Sequence, residues 1–214
     1  MQLISINTSL PKTIEHNGKE LLSGIFKQPV TGSVFVSKQN LQGDGQADLS
    51  NHGGEHKAVY GFSCEHYAYW REALQTEDLP LGAFGENLSI SKLDEKQLHI
   101  GDQLSIGELV LEVSQPRVPC YKLGIALKNK NAPQMFINTY ATGVYFRVKQ
   151  EGFISTGDTV ELIKKSPHAL SVHDLFRAYF DKTLTNAEDI LVAGLAVPEL
   201  APEWQEKLEK RLRK

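Results

Sequence analysis

The sequence predicts a mainly β protein with α-helical additions: a β domain over residues 1–165 and a three-helix module over residues 168–214. Three observations predict it. Residues 108–114 and 144–149 alternate apolar and polar side chains, the period of a half-buried strand. Gly101-Asp102 and Gly157-Asp158 each precede an apolar residue two positions on, Leu104 and Val160. Glycine at that place marks a bulge or sharp bend, as closing a barrel requires. At Lys164-Lys165-Ser166-Pro167 the apolar period changes from two to 3.6, which sets the domain boundary.

The elements follow in order. Residues 3–6 are a short apolar run, and Asn17-Gly18 is a hairpin turn pair. Residues 20–26 look extended, and Val34-Phe35-Val36 is a β-branched and aromatic strand. Short turns predict antiparallel neighbours. Residues 40–56 break the pattern with four glycines and many small polar side chains; loops this long are usually functional or disordered. Lys57-Ala58-Val59-Tyr60 reads as a strand. Ser63 is placed to cap a helix to about Leu74, with Tyr67, Trp70 and Leu74 on one face and Cys64 packing in its first turn. Gly82 and Gly85 flank Ala83-Phe84, predicting unusual backbone before Glu86, Asn87 and the next strand. Pro133 opens a short helix to about Tyr140. In the module, Ser171-Val172-His173-Asp174 and Thr185-Asn186-Ala187-Glu188 are capping-box patterns. Pro202 starts the third helix, with Glu203 and Glu206 first and Lys210, Arg211, Arg213 and Lys214 last, matching the helix dipole.

Composition narrows the function classes. Hydrophobic residues make up 41% and charged ones 23%, as in ordinary globular proteins. A formal net charge of −3 gives no general case for nucleic acid or an acidic membrane surface, so an anion site must be local. Cys64 and Cys120 are no disulfide framework, and the chain reads as cytoplasmic. The first residues lack the features of a signal peptide, and no apolar run approaches the roughly 18–20 residues that span a bilayer.

The chemistry concentrates in Pro116-Arg117-Val118-Pro119-Cys120-Tyr121-Lys122-Leu123. Two prolines restrict this loop, and Arg117 and Lys122 favour a thiolate if they lie near the sulfur. A thiolate serves as a nucleophile or a soft metal ligand. The competing reading is that Cys120 is a small buried hydrophobe. Glycines of the long loop, Gly53 and Gly54 among them, expose backbone N–H groups suited to an anion. Lys57, Arg117, Lys122 and Arg147 are candidate charge partners, each with a solvated surface cation as the plainer reading. His52 is a candidate proton donor and His56 a loop hydrogen-bonder. Asn87 suits either ligand hydrogen bonding or capping of its turn, and Asp48 is read as structural.

These segments in sequence resemble the MOSC domain, named for the C-terminal part of molybdenum cofactor sulfurase. The resemblance rests on Asn51-His52-Gly53-Gly54, Lys57 to Tyr60, Gly82 to Leu88, Gly101-Asp102 and Gln115 to Leu123, and the appended helices resemble those of its YiiM-like members. It implies a β-barrel-like domain that binds a molybdenum–pyranopterin (Moco), with Cys120 as the molybdenum ligand and no need for pyridoxal phosphate. It also implies reduction of a small N-hydroxylated substrate, such as the purine 6-hydroxylaminopurine, to the amine, a detoxification reaction. No Gly-x-Gly-x-x-Gly stands on a βαβ unit, and no cysteine cluster suits iron–sulfur, so an external electron-donating reductase is expected as partner. No nucleic acid polymer and no membrane is expected as a partner, while a homodimer through the module is.

Other readings compete. His52, His56 and Cys120 could form a three-ligand zinc site with an open position, as in a hydrolase. Gly53-Gly54 argues against the helix that would put the two histidines on one face. Cys120 could instead carry a persulfide for sulfur transfer, or the chain could store and deliver the cofactor. The module could simply cover apolar barrel surface.

Overall fold

A computed structural model describes residues 1–47 and 53–213. The N-terminal strands are β1 (Gln2–Thr8), β2 (Lys12–His16), β3 (Lys19–Ser23), β4 (Gln28–Pro29) and β5 (Val34–Val36). A 3-10 turn at Glu55–Lys57 leads into β6 (Val59–Ser63), α1 (His66–Leu74), β7 (Leu88–Ser91), β8 (Gln103–Ile106) and β9 (Leu109–Pro116). Then come α2 (Tyr121–Ala126), α3 (Ala132–Thr139), β10 (Val144–Gln150), β11 (Gly152–Ile154) and β12 (Val160–Lys164). Helices α4 (Val172–Phe180), α5 (Ala187–Leu195) and α6 (Pro202–Leu212) end the chain.

Eight strands form one sheet in the order β12-β8-β9-β10-β6-β7-β1-β4. All pairs are antiparallel except β6 and β7, which α1 connects as a crossover. The mainly β expectation with added helices is met. Barrel closure is not a continuous ladder among the described residues. The sheet's far ends meet through one isolated bridge, Gln2 to Thr159, and three backbone hydrogen bonds of 2.8–3.0 Å joining Met1 and Leu3 to Gly157, Asp158 and Val160. Gly157 sits there at φ 98°, so the second Gly-Asp step is the corner at which the sheet closes. The closure is short because β1 continues away to pair with β7 and β4.

The Asn17-Gly18 turn has φ of 54° and 73°, the left-handed pair that joins β2 to β3 in a separate hairpin. Strand β10 alternates as read, but β9 is buried on both faces from Leu111 to Pro116 because α4 packs on it. The cap expected of Ser63 is absent: Ser63 closes the fully buried strand β6, and α1 begins at His66. Lys57 lies in the 3-10 turn and the strand starts at Val59. Ser171 Oγ accepts the Asp174 N–H at 2.9 Å, so the first box forms its N-cap bond, whereas Asn186 at the second N-cap makes no side-chain bond. Helix α2, directly after Cys120, was not visible in the sequence.

Two apolar cores result. One joins strand residues such as Leu111, Val113 and Val148 with Phe176, Leu191, Trp204 and Leu208 of the module. The module therefore covers the sheet rather than standing apart. Burying Phe176 and Trp204, each 0% exposed, contributes about 2–3 kcal/mol per side chain. The other core is aromatic, with Phe62, Tyr67, Trp70, Phe84 and Phe136 around Leu123. Leu123 anchors the far side of the cysteine loop in it.

Candidate functional site

Strand β9 ends at Pro116, and the chain then turns across the sheet end through Arg117 to Cys120. There a cleft is lined by Lys27, Asp44, Lys57, Asn87, Arg117 and Cys120, with Lys122, Tyr145 and the β3 end around them. Among the described residues, four cations and one acid line it, on a chain whose net charge is −3. This is the local anion-attracting region that the overall charge does not provide.

Arg117 is its most constrained charge. The side chain is 6% exposed, and Nη1 donates to Phe84 O at 2.5 Å and to Tyr60 Oη at 3.2 Å. Its guanidinium carbon lies 4.7 Å from the Tyr60 ring centroid and 5.4 Å from that of Phe136. Nε and Nη2 have no hydrogen-bond partner among the described residues, and the guanidinium faces no carboxylate within ion-pair reach. A buried cation with unspent donors at a cleft wall suits an anionic ligand group. Burial raises the Tyr60 phenol well above its usual range, so it stays a neutral acceptor for Arg117 and donates in turn to Thr142 O at 2.8 Å.

Asn87 does not cap its turn. Its Oδ1 accepts Tyr60 N–H at 3.1 Å, and its Nδ2 donates to Asp44 Oδ2 at 2.9 Å. Asp44 also accepts Ser9 N–H at 2.8 Å and pairs with Lys27. Lys27 is buried, and desolvation lowers its pKa despite Asp44. Below the cleft floor, Glu86 is 0% exposed and accepts from Gly82 N–H and Ser89 Oγ at 2.8 Å, Phe84 N–H at 3.2 Å and the Tyr67 hydroxyl. Burial pushes its pKa upward against those donors. These bonds hold the Gly82–Gly85 turn, where both glycines have positive φ, as their spacing predicts.

Of the predicted site residues, the fold brings Cys120, Arg117, Lys57, Asn87 and Lys122 to this cleft. Lys122 Nζ donates to Leu22 O at 3.0 Å, and Lys57 pairs with Glu203 of α6. Arg147 lies elsewhere: it donates to Glu112 at 2.9 Å, to His56 Nδ1 at 2.9 and 3.1 Å, and to Glu199 O at 2.7 Å. Its bonds to β9, to the 3-10 turn and to the module hold it there, and it does not line the cleft. Gly54 sits at φ 90° ahead of the 3-10 turn, and neither it nor Gly53 lines the cleft. His52 and Asp48 lie outside the described residues. His56 is bound by Arg147, and burial followed by that cation lowers its pKa. Among the described residues, no group of three His, Cys, Asp or Glu side chains could hold a metal. No helix among them is long and apolar enough to cross a membrane. Sequence reasoning missed Lys27 and Asp44; nothing local in the strand edge or the glycine-rich loop marks them as partners.

A metal brought in by an organic cofactor with its own sulfur atoms needs one protein thiolate and a partner for the cofactor's anionic group. Cys120 and the unspent Arg117 donors meet those two needs, so the residues fit a molybdenum–pyranopterin.

Comparison with known proteins gives the family. The profile of the MOSC domain matches residues 48–161, and that of the YiiM-like 3-alpha helix domain matches residues 170–214. The Bacillus subtilis protein YflK is 40% identical over 211 residues, 98% of this chain and 93% of its own length. A Gibberella moniliformis protein named Reductase is 39% identical over 151 residues, 69% of this chain but 27% of its own length. The crystal structure of YiiM from Geobacillus stearothermophilus superposes with a TM-score of 0.82 at 33% identity, covering 99% of this chain and 98% of that one.

Proposed function

The chain belongs to the MOSC domain family and carries its YiiM-like 3-alpha helix domain, and from that premise we propose that it is a molybdenum-cofactor-dependent reductase of small N-hydroxylated compounds. The observation that carries this reading is the meeting of the Cys120 thiol and the buried, unspent Arg117 in one cationic cleft. Family membership and the reductase-named relative support an oxidoreductase.

The chemistry the cofactor supplies when bound is two-electron reduction, which converts N–OH to N–H and, with two protons, releases water. The chain's own residues bind and orient. The Cys120 Sγ is the soft protein ligand. Arg117 holds the anionic end, backed by Lys122 and Lys57. The Lys27–Asp44–Asn87 chain fixes the opposite wall, so the cleft needs little reorganisation on binding. Substrates in this reading are planar N-hydroxylated bases of the hydroxylaminopurine type, and the electrons come from an external reductase.

The test is metal content after anaerobic purification from a host that makes the pterin, beside Cys120→Ser. Molybdenum near one per chain, absent from the variant, together with reduction of an N-hydroxylated base by an added electron donor, is the expected result. Zinc in place of molybdenum overturns the assignment, as does turnover driven by a nicotinamide donor with no second protein.

A further inference from the structure

The last strand turn before Cys120 lacks a strand neighbour on one side. Strand β8 pairs with β9 only from Leu109 to Glu112. Beyond that, Val113 bonds to Gly101 and Asp102, and the carbonyls of Ser114 and Pro116 point from the same sheet edge. The module occupies that edge. The Ala201 N–H donates to Ser114 O at 3.1 Å, and Trp204 Nε1 donates to Pro116 O at 3.1 Å. Ala201 is the N-cap position of α6, and Trp204 is in its first turn. The next residue after Pro116 is Arg117. In the same turn, Glu203 pairs with Lys57 in the cleft wall and with Lys207 at 2.5 Å. Lys57 is 9% exposed, and this carboxylate is a direct counter-charge to it.

We infer that the first turn of α6 is part of the cleft. Ala201 and Trp204 act as positioning groups that complete the β9 edge leading into Arg117 and Cys120, and Glu203 sets the charge that Lys57 presents to an anion. The inference concerns how the cleft is held and charged. It uses the assignment of the cleft as the functional site but not the identity of the cofactor.

The experiment uses the full-length cofactor-free protein with Cys64→Ser, which leaves Cys120 as its one thiol. Rates of thiol modification are measured with an anionic aryl disulfide, dithiobis-nitrobenzoate, and with neutral dipyridyl disulfide. Glu203→Gln keeps the side-chain shape and removes the charge. Its expected effect is a rise of about fivefold in the ratio of anionic to neutral rates, the scale of one unit charge near a protein surface. Trp204→Phe keeps an aromatic side chain, smaller by the pyrrole ring, and removes the N–H donor. Its expected effect is a rise of at least threefold in both rates, with their ratio unchanged, because the loop loosens without gaining charge. Secondary structure by circular dichroism confirms that each variant is folded. An unchanged ratio in folded Glu203→Gln overturns the charge role, and unchanged rates in Trp204→Phe overturn the positioning role. If Glu203→Gln fails to fold, Glu203→Asp, which keeps the charge on a shorter arm, replaces it; a wild-type ratio there supports the charge role, and a ratio raised fivefold overturns it. Failure of the molybdenum assignment moves none of these rates.

Discussion

Arg117 and Glu86 grip opposite ends of one residue. Glu86 accepts the N–H of Phe84, and Arg117 donates to the carbonyl of the same Phe84. A buried carboxyl and a buried guanidinium are thereby linked through the backbone of one residue rather than by an ion pair. The carboxyl organises the Gly82–Gly85 turn from below, and the guanidinium keeps its remaining donors for the cleft.

Arg117→Met therefore removes more than a cleft charge. The thioether fills the space between Tyr60 and Phe136, but Phe84 O loses its donor while still buried. Stability falls by about 1–3 kcal/mol in a urea titration. Arg117→Lys recovers less than half of that loss, since an ammonium lacks the planar face that lies over both rings. Wild-type stability in Arg117→Met would show that Phe84 O needs no partner.

Glu112 gives a pH signature. Burial opposes its ionisation, but hydrogen bonds from Gln103 and Arg147 and the Lys149 charge outweigh it and hold the carboxyl below 4.5. A folded pKa below the unfolded one stabilises above the unfolded value and is lost as pH falls through the folded value. Glu112→Gln is accordingly less stable than wild type at neutral pH by about 1–3 kcal/mol, because Arg147 loses its carboxylate. The difference closes as pH drops below 4.5. Thermal melts of both proteins across that range decide it, and a pH-independent gap sinks the argument.

Gly143 tolerates no side chain. Its φ is 66°, and a Cβ there meets Gly61 O at 2.4 Å and the Tyr60 and Phe62 rings at 2.7 and 2.9 Å. The β6–β10 pairing brings those backbones together. Gly143→Ala costs about 3 kcal/mol or more, and the measurable outcome is insoluble protein or a melting point lowered by several degrees.

The two cysteines separate by alkylation. Burial pushes the Cys64 thiol up to about 11, with Glu65 and Glu86 adding to it. At neutral pH its thiolate fraction is about one in ten thousand. Native protein treated with iodoacetamide is modified at Cys120, and Cys64 reacts only after unfolding. Peptide mass mapping reads this directly; fast native labelling at Cys64 contradicts it.

What the sequence reveals here is mostly what a local pattern can encode. The Asn17-Gly18 turn, the alternation of β10, the Ser171 cap and the glycine pair around Phe84 are each fixed by a few neighbouring residues. The cleft is legible where chemistry and loop geometry coincide, as at Arg117 and Cys120. Lys27, Asp44 and Asn87 meet only because β1, β4 and β7 are neighbours in the sheet, an order that no short pattern contains. Arg147 looks equivalent to Arg117 in the sequence, yet the cross-strand register with β9 puts it opposite Glu112, which takes up its charge. Ser63 fails as a cap for the same kind of reason: Val59–Ser63 is buried on every side, and pairing with β7 and β10 outweighs the local preference.

Synthesis order adds a last consequence of the bond between Trp204 and Pro116. A chain emerges N-terminus first, and domains fold as they appear. Here the first strand waits for Thr159 before its end is tied, and the loop bearing Cys120 waits for Trp204. A nascent chain halted before α6 has Arg117, Cys120 and Lys57 but not the helix turn that steadies and charges them. Completion of the cleft is thus deferred until α6 has been made, so a molecule able to hold its ligand firmly is one whose synthesis has passed that helix.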